Sequence, residues 1–173
     1  YTVRKGLIKL YQLLPNGKQR IVRLLKPGDV VGLELLTNKT YHHMAVAMHD
    51  SELCRIPVNL LNKLQESYPV LYKQLIQRWQ SCIDEADLFI TLFSTGNSHS
   101  RMARLLEQMQ NVENHVWGYN LTREDMGDIL GISTETASRV IADFKRKGFI
   151  KEKQNKIKIL DFKYLKRIAQ DDR

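Results

Sequence analysis

One stretch of the sequence repeats apolar residues at alternating spacings of four and three positions, and it constrains the fold more than any other feature. Such a heptad pattern keeps its apolar members on one stripe of a single long helix. The β-branched residues Ile76, Ile83 and Ile90 fall at the a position of successive heptads, which favours a two-stranded parallel pairing of helices. The full stripe consists of Tyr72, Ile76, Trp79, Ile83, Ala86, Ile90 and Phe93.

A second apolar stripe on the same helix separates two interpretations. Leu75, Cys82 and Phe89 share a different side of the helix, so one stripe can contact a partner chain while the other contacts the chain's own β-rich part. We therefore predict a dimerisation helix with its hinge over residues 68–97, and a homodimer held by the first stripe. The alternative is a single amphipathic helix that packs only within its own domain.

The residues before this helix are predicted to form short β-strands separated by turns. Asn16-Gly17 joins two partly alternating apolar runs, as in a tight hairpin whose turn needs positive φ angles. After the Pro27-Gly28 turn, further strands are predicted in VVGLELL, MAVAM and ELCRI. Their number is low for a closed sheet. Residues 1–67 are therefore interpreted as part of a sandwich or barrel with a short closing helix, and upstream strands are expected to be missing from the chain.

The residues after the long helix, 98–173, have the element order of a winged helix-turn-helix. Thr122 can cap the first helix of the motif with Asp125 as its acidic partner, Gly131 suits the left-handed turn, and Ser133 can cap the second helix. HVWGYNL is predicted to be short and extended, the charged segment IKEKQNKIKIL to be a hairpin, and FKYLKRIA to be a final helix. A helical hairpin with no role in DNA binding is the alternative.

The second helix of this motif carries a candidate reading surface for DNA bases. Glu135, Ser138 and Arg139 lie at i, i+3 and i+4, so their side chains project together and can enter a major groove. Arg139 can donate to O6 and N7 of guanine, and Glu135 can accept from N4 of cytosine. The alternative for this pair of charges is a solvated ion pair that contributes little energy.

Basic and hydroxyl side chains near this surface are suited to DNA phosphates, which give affinity rather than sequence choice. The formal net charge of +8 agrees with an anionic partner, although a charge run can equally be a solvated face. The predicted phosphate contacts are Thr122, Ser133, Thr134, Thr136, Lys145, Arg146, Lys147, Lys151, Lys153 and Lys156.

These features together resemble the Crp/Fnr family of bacterial transcription regulators. The similarity runs from KPGDVVG through the long helix to the winged helix, and ETASR resembles the Fnr-type recognition motif, whose members read TTGA-type half-sites in an inverted repeat. Thr134 stands where Crp-type members carry an arginine. The resemblance implies an α+β chain that begins with the C-terminal part of a double-stranded β-roll of the cyclic-nucleotide-binding type. It also implies a homodimer on a palindromic TTGAT-like site in double-stranded DNA, a signal sensed in the roll, and contact with RNA polymerase.

The resemblance also bears on ligands. Cyclic-nucleotide-binding relatives use a Gly-Glu pair and an Arg-Ser pair that grips the cyclic phosphate. Here Leu33 follows Gly32, and YHHMAVA stands where the Arg-Ser pair would be. A buried phosphate without a guanidinium would lose its main charge-assisted partner. Cyclic AMP is therefore not expected to be a ligand.

Cys54 in LCRIP matches a cysteine that ligates an oxygen-labile [4Fe-4S] cluster in Fnr-type members. The other three ligands of that cluster come from an N-terminal segment that this chain lacks, and one cysteine cannot hold a cubane cluster. A metal role for Cys54 thus depends on upstream cysteines, and a small buried apolar residue is the alternative. Haem-binding members also occur. His42, His43 and His49 are conceivable ligands, but polar loop residues are the alternative.

Other classes of protein lack support in the motifs. The sequence has no clustered His-x-His with a carboxylate, no Ser-His-Asp or Cys-His arrangement and no P-loop. No apolar run reaches the roughly 18 residues of a membrane span, and no cofactor is evident. We therefore expect a cytoplasmic protein that is not an enzyme. A dimeric interaction or ligand-binding module without specific DNA binding is the remaining alternative.

Overall fold

The computed structural model describes residues 1–37, 40–109, 121–153 and 156–171. The chain forms two compact units, Tyr1–Leu88 and Phe89–Arg173, and each is described by itself. The predicted extended segment HVWGYNL lies outside the described residues except for Leu121. The predicted division into residues 1–67, 68–97 and 98–173 stays a prediction.

Two antiparallel sheets form the β part of the N-terminal unit. Their strands are β1 (Thr2–Lys5), β2 (Ile8–Leu13), β3 (Gln19–Leu25), β4 (Met44–Ala47) and β5 (Glu52–Cys54). β2 pairs with β3 on one side and with β4 on the other, while β1 pairs with β5. The β2–β3 hairpin turns through Gly17, whose φ is 78°, and the amide of Lys18 donates to Oδ1 of Asn16 at 3.0 Å. The predicted hairpin is therefore confirmed.

The core of the N-terminal unit lies where the two sheets meet. Val3 of β1, Ile8 and Leu10 of β2 and Leu25 of β3 are buried together. Ile8 and Leu10 are two positions apart, so they point to the same face of the strand. Burial of such side chains stabilises the unit by about 1.5–3 kcal/mol each.

The segment VVGLELL was predicted as a strand, and this prediction is wrong for most of its length. Leu33–Leu36 forms a 3₁₀ helix instead. The extended conformation is limited to Val30, which pairs with Thr2 through a single isolated β-bridge. Gly32 adopts a left-handed conformation with φ of 86° immediately before the 3₁₀ helix. That conformation turns the chain away from an extended path, and the amide of Leu35 then bonds locally to the carbonyl of Gly32.

Two helices follow the sheets. α1 (Val58–Ser67) and α2 (Pro69–Ser94) agree with the predicted short closing helix and the predicted long helix. Pro69 occupies the first position of α2, where its missing amide hydrogen would have had no helical partner in any case. No helix in the described part of the chain combines the length and apolar character that crossing a membrane requires.

The C-terminal unit contains the predicted winged helix-turn-helix. Its elements are α3 (Ser98–Met109), α4 (Arg123–Leu130), α5 (Thr134–Arg146), β6 (Ile150–Lys153), β7 (Lys156–Ile159) and α6 (Phe162–Ala169). β6 and β7 pair as an antiparallel hairpin, which is the wing. Leu105 of α3, Ile129 of α4, Phe144 of α5 and Leu165 of α6 have no exposed surface, so one core joins all four helices.

Candidate nucleic-acid interface

The start of α4 is fixed by the predicted capping box. Oγ1 of Thr122 accepts from the amide of Asp125 at 3.0 Å, and Oδ2 of Asp125 accepts from the amide of Thr122 at 3.2 Å. Each side chain thus satisfies an amide that the first turn of a helix leaves without a partner. The Thr122 hydroxyl also donates to Oδ2 of Asp125 at 2.7 Å. This hydroxyl is therefore engaged in the cap before any DNA phosphate approaches.

The turn between α4 and α5 requires glycine at two places. Gly131 ends α4 in the left-handed region with φ of 64°, which glycine adopts without steric cost. A Cβ on Gly127 would lie 2.8 Å from the carbonyl oxygen of Ile132, so the chain passes too close for any side chain there. Ser133 then caps α5 by accepting from the amide of Thr136 at 3.2 Å. These contacts set the angle at which α5 leaves the turn.

α5 has one buried face and one exposed face. Its buried side consists of Ala137, Val140, Ile141 and Phe144. Glu135, Ser138 and Arg139 are all exposed on the other side, as their spacing predicts. The structure therefore brings the three candidate base-reading residues together on an accessible surface.

The N-terminal end of α5 carries three hydroxyl side chains, those of Ser133, Thr134 and Thr136. Ser133 and Thr134 are exposed and Thr136 is half-buried, and the hydroxyls of Ser133 and Thr136 lie 3.1 Å apart. A helix N-terminus presents amide donors and the positive end of the helix dipole, which suit an anion. All three positions are compatible with the predicted phosphate contacts.

The three basic residues at the end of α5 already have acidic partners within the chain. Nζ of Lys147 lies 2.8 Å from Oδ2 of Asp143, and Arg146 pairs with Oδ1 of the same carboxylate. The hydrogen bond from Lys147, with that from Arg146, lowers the pKa of Asp143 against a smaller opposing effect of desolvation. Lys145 pairs with Glu152 on the wing, with Nζ 3.0 Å from Oε2. The predicted phosphate contacts of Lys145, Arg146 and Lys147 would therefore compete with these pairs.

Glu152 joins the wing to both helices of the motif. It accepts from Nζ of Lys145 on α5 and from the guanidinium of Arg123 on α4. Burial opposes ionisation of this carboxyl, but the hydrogen bond from Lys145 and the charge of Arg123 hold its pKa below the usual value. Neither Arg123 nor Glu152 belongs to a set of residues that the sequence predicts to be functional. Their opposite charges were the available signal, but they are separated by 29 residues.

The wing presents lysines on both of its strands. Lys151, Lys153 and Lys156 are exposed. Lys153 and Lys156 are direct partners in the β6–β7 ladder, next to residues 154–155, which lie outside the described residues. Like charges directly opposite each other destabilise a ladder. An anion between these lysines would relieve that repulsion, which favours a phosphate there.

The heptad stripe of α2 is exposed along most of its length in the single chain. Ile76, Ile83 and Ile90 are exposed by 42%, 54% and 61%, and Tyr72 by 39%. Trp79 and Ala86 are half-buried.

Phe93, the last member of the predicted stripe, lies in a different environment. It is 4% exposed and packs edge to face on Phe89, with ring centroids 4.8 Å apart. Its apolar surface is thus covered within the chain, so the exposed part of the stripe runs from Tyr72 to Ile90.

A cavity of about 450 Å³ lies in the N-terminal unit. Its walls are mainly apolar and include Leu33, Tyr41 and Leu75, and Arg55 and Arg78 also line it. Its volume is within the range of small-molecule sites.

The predicted metal-ligand candidates lie in the same unit. Cys54 is half-buried at the end of β5, and His42 and His43 lie in the bend before β4 rather than on a strand. Among the described residues, no group of three or more His, Cys, Asp or Glu side chains is placed to hold a metal ion. One thiolate does not match the ligand set of an iron-sulfur cluster.

The fold and the surface of α5 define a winged-helix DNA-binding protein that also carries a β domain of the cyclic-nucleotide-binding type. Two family models match the chain: the Crp-like helix-turn-helix domain over residues 100–168 and the cyclic nucleotide-binding domain over residues 1–68. The chain belongs to the Crp/Fnr family.

Individual relatives place the chain near the Fnr-like branch of that family. Electron transport regulator A of Shewanella oneidensis is 28% identical over 100% of this chain and 72% of its own length. The fumarate and nitrate reduction regulatory protein of Vibrio cholerae is 28% identical over 98% of this chain and 70% of its own length. In other curated relatives the share of their own length falls to 61%. A CRP/FNR-family transcriptional regulator of Thermus thermophilus has a solved structure with a TM-score of 0.81. It is 28% identical, over 99% of this chain and 88% of that one.

Proposed function

We propose that this chain acts as a homodimeric transcription regulator that binds a palindromic TTGAT-like site and responds to a signal sensed in its β domain. The observation that carries the proposal is the exposed trio Glu135, Ser138 and Arg139 on α5, whose opposite face is buried in a capped helix-turn-helix. The Fnr-type names among the relatives support the choice of half-site.

The three residues of the trio have separate roles in reading bases. The guanidinium of Arg139 donates to O6 and N7 of one guanine, a bidentate contact that other bases cannot reproduce. Glu135 accepts from N4 of cytosine, and its carboxylate also holds the nearby Arg139 in reach of the groove. Ser138 is short, so it lets the helix approach closely and hydrogen-bonds to a base edge.

Phosphate contacts orient α5 in the groove. The hydroxyls and amides around Ser133, Thr134 and Thr136 hold one phosphate at the helix N-terminus, and Lys151, Lys153 and Lys156 hold others at the wing. Thr122 adds a contact from its cap. Lys145, Arg146 and Lys147 contribute less, because each has to exchange an intramolecular carboxylate for a phosphate.

The homodimer places two copies of α5 in successive major grooves. Tyr72, Ile76, Trp79, Ile83, Ala86 and Ile90 form the seam between two parallel copies of α2, which is supported by the exposure of the isoleucines in a single chain. Two-fold symmetry requires an inverted repeat, with half-site centres about 34 Å apart. A signal acts as a population shift between two dimer geometries.

Other parts of the proposal follow from the family. The protein acts in the cytoplasm and contacts RNA polymerase there. Cyclic AMP is not its ligand, since no arginine-serine pair is present to bind the phosphate. A [4Fe-4S] cluster or haem belongs to the proposal only if residues outside this chain complete the ligand set, with Cys54 as one ligand of the cluster.

A binding experiment with two variants tests the division of labour between base and phosphate contacts. Arg139→Ala should cost about 1–3 kcal/mol per half-site and relax the preference for guanine, whereas Lys153→Ala should weaken binding to all sequences alike. Affinities are measured for the TTGAT palindrome and for versions with the guanine replaced. Lys163→Ala, on the exposed side of α6, is the control. It should change neither the affinity for the palindrome nor the preference for guanine.

Two results would contradict the proposal. Equal losses from Arg139→Ala and Lys153→Ala on every sequence would refute the assigned roles. Absence of any salt-sensitive specific complex with the wild-type protein would favour the interaction module without specific DNA binding.

A further inference from the structure

A buried arginine lies at the junction of α2, α3 and α6 in the C-terminal unit. Arg104 of α3 is 8% exposed, and its neighbours Ala103 and Leu105 have no exposed surface at all. A buried guanidinium is strongly unfavourable unless its donors are paired. Its presence among apolar residues therefore points to a specific role for its contacts.

The contacts of Arg104 bring the ends of two helices together. Nη1 donates to the carbonyl oxygens of Leu92 and Thr95 at 3.2 and 2.9 Å and to Oγ1 of Thr95 at 3.1 Å. Nε donates to the carbonyl oxygen of Ala169 at 2.7 Å. Leu92 lies in the last turn of α2, and Ala169 is the last residue of α6. Carbonyls at helix C-termini lack intrahelical donors and carry the negative end of the helix dipole, so one cation satisfies both ends.

The short connection from α2 to α3 passes through this junction. Gly96 is left-handed with φ of 77°, and Oδ1 of Asn97 accepts from the amides of His99 and Ser100 at 2.9 and 3.0 Å. These bonds fix the start of α3. Arg104 fixes the other side of the connection, because it holds the residues immediately before Gly96.

α3 also contacts the helix-turn-helix. Nη1 of Arg101 donates to the carbonyl oxygen of Leu130, at the end of α4, at 2.6 Å. α3 is therefore hydrogen-bonded to the last turn of α2 through Arg104 and, separately, to the end of α4 through Arg101.

We propose that Arg104 is a positioning residue that locks the end of α2 to the winged helix and so fixes the distance between the two recognition helices of the dimer. The inference rests on the proposed function, since it needs a dimer that binds two half-sites. Without the guanidinium, the carbonyls of Leu92, Thr95 and Ala169 lose this donor and the winged helix pivots about Gly96. A locked pair of winged helices accepts one half-site spacing, whereas a pivoting pair accepts neighbouring spacings as well.

The experiment measures spacing preference with Arg104→Gln in the full chain. Affinities are determined for palindromes whose half-sites are moved apart or together by one and two base pairs, and for DNA with a single half-site. Coupling between sites is commonly about 5–150-fold. We therefore expect the wild type to bind one spacing more tightly than its neighbours. In Arg104→Gln the ratio of affinities for the preferred and neighbouring spacings should fall by about fivefold or more. The affinity of the variant for a single half-site should stay within about twofold of wild type.

Arg101→Gln is the matched control, because it removes a contact of the same kind from the same helix but within the winged helix. It should weaken binding to all spacings and to the single half-site by the same factor. Arg104→Lys keeps the charge but cannot reach both helix ends, so an intermediate spacing preference is expected. If Arg104→Gln does not fold, as judged by circular dichroism, Arg104→Lys alone decides the question.

The outcomes separate the inference from the proposed function. A sharp wild-type preference that the folded Arg104 variants retain would overturn the inference alone, as would a uniform loss across spacings like that of Arg101→Gln. A wild-type protein that prefers no spacing and no palindrome would overturn the proposed function and the inference with it.

Discussion

At the scale of single residues, two carboxylates determine which cations of the winged helix are free for DNA. Asp143 engages Arg146 and Lys147, and Glu152 engages Arg123 and Lys145. The positive charge of the domain is therefore partly neutralised within the chain before DNA arrives. Because the Glu152 pairs are partly exposed, each of them contributes only about 0.2–1 kcal/mol to stability.

The Glu152 contacts give a prediction about stability and pH. The folded-state pKa of Glu152 is lowered, so its stabilising effect is present above its unfolded pKa of about 4.3 and is lost as pH falls through the folded value. Glu152→Gln should therefore be less stable than wild type at pH 7, by up to about 1 kcal/mol, and the difference should shrink towards pH 3. Thermal unfolding of the wild type and of Glu152→Gln, from pH 7 down to about pH 3, measures this difference in stability. A stability difference that does not change with pH would contradict the prediction.

Gly127 gives a second prediction at this scale. Alanine would favour the helix by about 1 kcal/mol, but its Cβ would lie 2.8 Å from the backbone oxygen of Ile132. Overpacking of this kind costs about 1–3 kcal/mol, and a backbone atom cannot move aside as a side chain can. Gly127→Ala should therefore lose stability in urea unfolding. An increase in the urea midpoint would show that the turn adjusts at no cost.

Residue roles were predictable from the sequence where they are local. Thr122 and Asp125 are three positions apart, so a capping box was predictable and is present. The role of Arg123 was not predictable in this way, because its partner Glu152 comes close only after the wing folds back on α4. Arg104 was missed for a related reason. Its acceptors are main-chain carbonyls of other helices, and only its position between apolar residues hinted at burial.

At the scale of elements, the length of a sequence pattern decides how well it predicts a helix or a strand. The heptad stripe predicted α2 almost to its ends, because a 3.5-residue period sustained over several turns fits no other structure. The four residues LELL were assigned wrongly to a strand. So short an apolar run fits a strand or a helical turn equally well, and the left-handed Gly32 decided between them. Phe93 follows the stripe in sequence but is buried within the C-terminal unit.

The exposed stripe of α2 gives a prediction about assembly. Ile83 is at an a position and is 54% exposed in the single chain, so a lysine there would place two charges in the proposed seam. Ile83→Lys should raise the dimer dissociation constant by at least about tenfold, which corresponds to only about 1.4 kcal/mol. Sedimentation equilibrium measures this constant. Gln77→Lys adds the same charge to an exposed position of α2 off the stripe and should leave the dimer intact. An unchanged mass for Ile83→Lys would exclude this stripe as the seam.

At the scale of the whole molecule, the net charge of +8 predicts salt-sensitive binding, and the ion pairs predict how steep that dependence is. If only Lys151, Lys153 and Lys156 of each chain displace counterions, a dimer neutralises about six phosphates and the slope of log K against log salt is about −5. If Lys145, Arg146 and Lys147 also bind phosphates, about twelve contacts would give a slope near −11. We expect a slope near −5, because Asp143 and Glu152 already pair with the three basic residues at the end of α5.

Substitution of one carboxylate separates these two cases within a single protein. Asp143→Asn should release Arg146 and Lys147, so the slope on unrelated DNA should steepen by up to about 4 per dimer, and non-specific affinity should rise at low salt. Lys153→Ala should make the slope shallower by about 2 per dimer on any sequence. The measurement is a salt titration of binding to the palindrome and to a scrambled duplex. A wild-type slope near −11 that Asp143→Asn leaves unchanged would mean that phosphates already displace the carboxylates, and that the ion pairs at the end of α5 exert no control over binding.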